Sequence, residues 1–142
     1  MENESEAFLS SEYCRENGVI YVNFGTLAVV STQLFDVLSA VLFTGSNKCV
    51  VWKVTVQEQS DKIASLLESS SAEDRARFLV KKRFANAAAI MDRSNMFISH
   101  CGATSMGEAI AAGLPIVGIP IFADQGDICQ RMHEHGMGVH AG

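Results

Sequence analysis

The chain has 142 residues, 48% of them hydrophobic and 19% charged, enough for one domain that buries roughly two thirds of its unfolded surface and outside the disordered and collagenous ranges. Its 11 Lys and Arg against 16 Asp and Glu give a formal charge of −5, and no basic cluster exceeds Lys81-Lys82-Arg83; the basic stripe that a nucleic-acid backbone requires is absent. No stretch approaches the roughly 18 apolar residues of a membrane span, and the opening lacks a basic-then-apolar leader. The chain as given is therefore expected to lie in the cytoplasm.

Residues 1–17 carry Glu2, Glu4, Glu6, Glu12 and Glu16 without apolar periodicity. They predict a solvated lead-in containing a short helix over residues 7–15, ahead of one domain over residues 18–142. From there, short β-branched or apolar runs at residues 19–24, 49–54, 78–80, 96–98 and 115–121 alternate with helix-period stretches at residues 31–43, 57–67, 105–112 and 125–135. This alternation predicts right-handed βαβ units, hence an α/β Rossmann-like parallel sheet with helices on both faces. Residues 68–77 are polar and read as a loop with at most one helical turn. Cys14, Cys49, Cys101 and Cys129 show no CxxC spacing and are expected to be reduced, buried thiols.

Chemistry concentrates in the last third, where eight of the eleven glycines fall at or after Gly102. In open α/β sheets, ligands bind at the carboxyl ends of strands, and glycine lets backbone approach them. The run His100-Cys101-Gly102-Ala103-Thr104-Ser105-Met106-Gly107-Glu108 reads as a strand entering a glycine turn and then a helix start, whose free N–H groups and dipole form an anion site. Ser105 and Glu108 also satisfy the capping-box pattern, in which both serve only the helix's own amides. His100 alone is equally a hydrogen-bonded core histidine, and Asp124 equally the N-cap of the last long helix.

Taken together, His100-Cys101-Gly102, Ser105, Glu108, Gly113-Leu114-Pro115, Pro120 and Asp124-Gln125 resemble the signature of the UDP-glycosyltransferases, inverting enzymes of GT-B fold. The resemblance extends upstream through the run from Gly18 to Gly25-Thr26 and through Val50-Val51-Trp52-Lys53, with Trp52 read as core, and downstream to Gly136 and Gly138. It implies the donor-binding, C-terminal half of a GT-B enzyme. By resemblance, His100, Gly102, Thr104, Ser105 and the neighbouring amides meet the diphosphate, and Gly25-Thr26 lie near the distal phosphate. Glu108 holds the ribose hydroxyls, and Asp124 and Gln125 hold the transferred sugar. Fixed donors aimed at the leaving diphosphate stabilise the charge that develops there, and no metal or other cofactor is expected.

Phe84 stands where relatives carry a ring that stacks on uracil, whereas Asn86-Ala87 stand in place of their Pro-Gln pair. The acceptor-binding domain and the catalytic base of such enzymes belong to a different part of the GT-B fold, so no catalytic residue is assigned here. His133 and His135 are two apart on a helical segment, a spacing unsuited to a metal site. The implied function is UDP-sugar binding for hexosyl or glucuronosyl transfer to a small hydroxylated acceptor. The alternative is the donor-binding subunit of a split N-acetylglucosaminyltransferase working with a membrane-anchored partner.

Overall fold

The structure, a computed structural model, describes residues 3–25, 30–121 and 125–140, the last of them by its backbone only. Strands β1 (Val19–Asn23), β2 (Cys49–Lys53), β3 (Phe78–Lys81), β4 (Met96–Ser99), β5 (Ile116–Gly118) and β6 (Gly138–His140) form one sheet of order β3-β2-β1-β4-β5-β6. Every pairing is parallel, as the alternation of strand and helix predicts. Chain order runs outward from β1 to β3 on one side and restarts at β4 on the other. The carboxyl ends of β1 and β4 therefore flank the topological switch point, where such sheets open a crevice.

Strand alternation divides the core in two. Ile20, Val22, Val50, Trp52 and Ile98 face α3 (Thr32–Thr44) and α4 (Gln57–Glu68). Val19, Tyr21, Cys49, Val51 and Phe97 face the opposite layer, built from α1 (Asn3–Leu9), α2 (Glu12–Asn17), α6 (Ala87–Asp92), α7 (Ala103–Ala111) and α8 (Gln125–Glu134). Helix α3 shows why the pattern folds this way. Ser31 caps it by accepting the Leu34 N–H at 3.2 Å, and Phe35, Leu38, Ser39 and Leu42 recur at helical spacing as its buried face. Trp52, 2% exposed, packs against Phe35 with ring centroids 5.5 Å apart.

Two expectations need correction. The acidic lead-in is two helices docked on the sheet, with Leu9 and Cys14 in the core. The Glu4–Lys81 ion pair at 2.7 Å and the Glu6–Arg93 pair at 3.0 Å hold it down. Its acids hid the sparse apolar stripe, and Ser11 ends one helix and caps the next by accepting the Cys14 N–H. The polar stretch before β3 holds a single short helix, α5 (Ala72–Ala76), as its pattern predicts, and ends in a buried cation, Arg77. Its guanidinium donates to the carbonyls of Leu42, Lys48 and Phe43 at 3.1, 3.0 and 2.9 Å and to the Asp74 carboxylate at 2.9 Å. Helix α6 and strand β6 carry too short a pattern to read from sequence.

The second correction concerns sulfur. Cys14–Cys49 and Cys101–Cys129 are disulfides rather than reduced thiols, with Cα separations of 5.3 and 5.5 Å. Residues distant in sequence meet because α2 lies beside the start of β2 and α8 packs over the end of β4. Gly118 accommodates the second bridge: a Cβ there would stand 2.6 Å from both sulfurs.

Candidate functional site

The crevice at the switch point is built by two turns around one imidazole. Strand β1 ends at Asn23, whose side-chain oxygen accepts the Gly25 N–H at 2.8 Å while its amide donates to the Tyr21 hydroxyl at 2.9 Å. Gly25 adopts φ +79°, a conformation open to glycine and strained for other residues. Strand β4 ends at Ser99, whose hydroxyl accepts the Cys101 N–H at 3.0 Å. Cys101 then takes φ +67°, a left-handed conformation uncommon outside glycine. That reversal turns the strand into α7.

His100 lies between these turns, 9% exposed. A Cβ on Gly102 would come within 2.6 Å of the imidazole Nε2, and one on Gly25 within 2.9 Å. Both glycines are thus required by close approach, and the Nε2 edge faces the gap between them. Burial holds the imidazole below its ordinary value; the Asn23 backbone pulls it upward, and the nearby charge of Lys53 lowers it further.

Helix α7 starts at Gly102 with no side-chain cap, and its first residues, Ala103 and Thr104, are exposed. Ser105 is the third residue inside the helix and Glu108 lies in its second turn, so they do not form the capping box that the spacing also allows. The N-terminal amides of a nine-residue helix are left without a side-chain acceptor beside His100, the arrangement that draws a phosphate. Glu108 is half-buried and acts electrostatically on Tyr21. The Tyr21 hydroxyl is pushed up to about 12 by burial, against the Asn23 hydrogen bond, with the Glu108 charge adding to the rise.

The structure therefore brings together Gly25, His100, Gly102, Thr104, Ser105 and Glu108. Thr26 and Asp124 lie outside the described residues. Gln125 opens α8, 5% exposed, and its side-chain oxygen accepts the Ile121 N–H at 2.9 Å, so in this state it holds the loop after β5. Phe84 packs edge-on against Tyr21 with centroids 6.4 Å apart and is 9% exposed, so its ring is committed to the core. Asn86 caps α6, accepting the Ala89 N–H at 3.0 Å, which accounts for an asparagine in the place of the expected pair. Sequence reasoning missed Tyr21 and Asn23; period-two alternation places both on one face of β1, one step before the Gly25 turn.

A cavity of about 820 Å³ lies between α3 and α4, lined by Phe35, Phe43, Leu66 and their neighbours. It contains none of the glycine turns or the imidazole, and it is a groove between helices rather than part of the crevice. Among the described residues, no helix is long and apolar enough to cross a membrane, and no group of three His, Cys, Asp or Glu could hold a metal ion.

The sequence matches the family described as UDP-glucoronosyl and UDP-glucosyl transferase over residues 1–142. It is 30% identical to UDP-glycosyltransferase 1 of Phaeomoniella chlamydospora, an alignment covering 96% of this chain and 28% of that protein. It is 31% identical to nuatigenin 3-beta-glucosyltransferase of Solanum aculeatissimum, covering 99% and 29%. Among solved structures, Os79 from O. sativa in complex with U2F and trichothecene superposes with a TM-score of 0.79 at 25% identity, covering all of this chain and 31% of that one. The chain thus spans about three-tenths of the length of the relatives it matches. With the order of its sheet and this match across its full length, the chain belongs to the UDP-glycosyltransferase family and has the fold of one half of a GT-B enzyme.

Proposed function

We propose that this chain is the donor half of a UDP-dependent glycosyltransferase, binding a UDP-sugar for hexosyl or glucuronosyl transfer to a small hydroxylated acceptor that a separate domain holds. The observation that carries this reading is the uncapped N-terminus of α7 beside His100, wedged between Gly25 and Gly102. Amide dipoles, the Ser105 hydroxyl and the imidazole would meet the diphosphate, which gains negative charge as the glycosidic bond breaks. Glu108, four residues from the Thr104 position at the helix mouth, would accept hydrogen bonds from the ribose diol. Asp124 and Gln125 would reach the sugar, with Gln125 exchanging its bond to Ile121 for a ligand hydroxyl. No base in this chain is proposed for deprotonating the acceptor, and no metal is required by the donor set.

Relatives supply support of the same kind: Os79 was also solved with UDP and deoxynivalenol-3-glucoside, at 25% identity and a TM-score of 0.65. Calorimetric titration with UDP, UDP-glucose and NAD tests the proposal. Saturable binding of both uridine ligands, without NAD binding, is expected. Silence toward UDP and UDP-glucose, or binding of NAD alone, would overturn it.

A further inference from the structure

Resting on the donor-site reading above, we propose that Lys53, flanked by Arg83, is a further diphosphate-binding residue that supplies positive charge to the β2 side of the crevice. Lys53 ends β2. Strand register pairs its predecessor Trp52 with Val22 of β1, so Lys53 stands beside Asn23, the residue that fixes the Gly25 turn. Asn23 in turn pairs with Ser99, immediately before His100. Alternation sends Lys53 to the same face of the sheet as Val51, Tyr21 and Asn23, because Trp52 points to the α3–α4 side.

The Lys53 ammonium has no partner of opposite charge among the described residues, and no hydrogen bond engages it there, whereas Lys62, Arg77, Lys81 and Arg93 each meet a carboxylate. The side chain is half-buried, and its ammonium is held below its ordinary value by that burial and by the neighbouring charge of Arg83. Its own charge reaches His100. Lys53 thus ends β2 in register beside Asn23, with His100 following the end of β4 on the other side of β1, in a chain whose net charge is −5. An unpaired, partly desolvated ammonium costs free energy until an anion arrives. The Lys81-Lys82-Arg83 run divides by the same account: Glu4 takes Lys81, and Arg83 remains exposed just past the end of β3.

The test compares Lys53→Gln, Lys53→Arg and Arg83→Gln with the unaltered chain, titrated with UDP and with uridine at low and high salt, together with NMR titration of the His100 imidazole. That imidazole is faced by the Gly25 and Gly102 turns, the Asn23 backbone and the Lys53 charge. Lys53→Gln should weaken UDP about tenfold, as loss of a charge-assisted contact does, leave uridine binding unchanged, flatten the salt dependence and raise the His100 pKa. Lys53→Arg should keep most of the UDP affinity, and Arg83→Gln should fall between. Equal UDP binding by Lys53→Gln and the unaltered chain would overturn the proposal. Parallel loss of UDP and uridine would do so as well, since it marks a structural role. An unaltered chain that ignores UDP would instead sink the donor-site reading on which this rests.

Discussion

The flank of the sheet under α3 and α4 and the crevice at the ends of β1 and β4 are built from the same strands, yet they are filled in opposite ways. On the flank, Phe35, Leu38, Leu42, Trp52 and Ile63 interdigitate, and Arg77 closes the far end by satisfying three backbone carbonyls. In the crevice, side-chain volume is withheld: Gly25 and Gly102 leave room for His100 alone, and a left-handed Cys101 and an uncapped helix take the place of packing. Side chains that fill space stabilise the domain, and glycines that vacate it leave polar groups for a ligand. Substitutions should therefore separate stability from binding according to which region they touch.

The largest effect should come from the flank. Trp52→Ala is expected to cost about 3–5 kcal/mol of stability through loss of a buried ring, read by denaturant unfolding, while the UDP affinity of the folded fraction is unchanged; a comparable loss of affinity would erase the distinction between the regions. Gly102→Ala reverses the pattern. Its Cβ would displace the imidazole, so UDP should bind more weakly by about 2 kcal/mol, roughly 30-fold, with a smaller fall in melting temperature. Glu108→Gln, which keeps the volume and removes the charge, should cost about 1–2 kcal/mol of UDP affinity and nothing in stability. A fall in stability without one in affinity would return Glu108 to a role within the helix.

Proton linkage sharpens the contrast further. His100 is held below its ordinary value of 6.5, chiefly by burial, so just below that pH the unfolded chain carries more protons than the folded one. Stability from this group is fully present above 6.5 and is lost as pH falls through that value toward the lowered one. A bound diphosphate acts oppositely, favouring the imidazolium. UDP-glucose, whose diphosphate does not itself titrate in this range, should therefore bind more tightly as pH falls from about 7.5 to about 6, with proton uptake visible as a buffer-dependent heat of binding. No buffer dependence would place His100 outside the diphosphate's reach.

Much of this was legible in the residues. Alternating runs specify a parallel α/β sheet because each strand's length and β-branching are strong local signals, and the spacing from His100 to Glu108 marks the strand-to-helix turn. Three things lay beyond local pattern. Acidic residues obscured α1 and α2, whose few apolar positions matter only once the sheet is present to receive them. Arg77 sits in a polar run and looks solvated until the carbonyls of α3 and the following loop close around it. The two disulfides depend on which elements become neighbours, which spacing along the chain does not encode. Within the site, resemblance alone places Phe84 at the uracil-stacking position, and nothing local in its sequence shows that Tyr21 draws its ring into the core.

The most direct measurement is an amide and imidazole chemical-shift titration with UDP, using uridine as the control. Saturable shifts confined to the Gly25 amide, the amides of Gly102 through Ser105 and the His100 ring, present with UDP and nearly absent with uridine, are expected if the uncapped end of α7 is the diphosphate site. Shifts that instead centre on the groove between α3 and α4, or that uridine produces equally at the α7 amides, would contradict it.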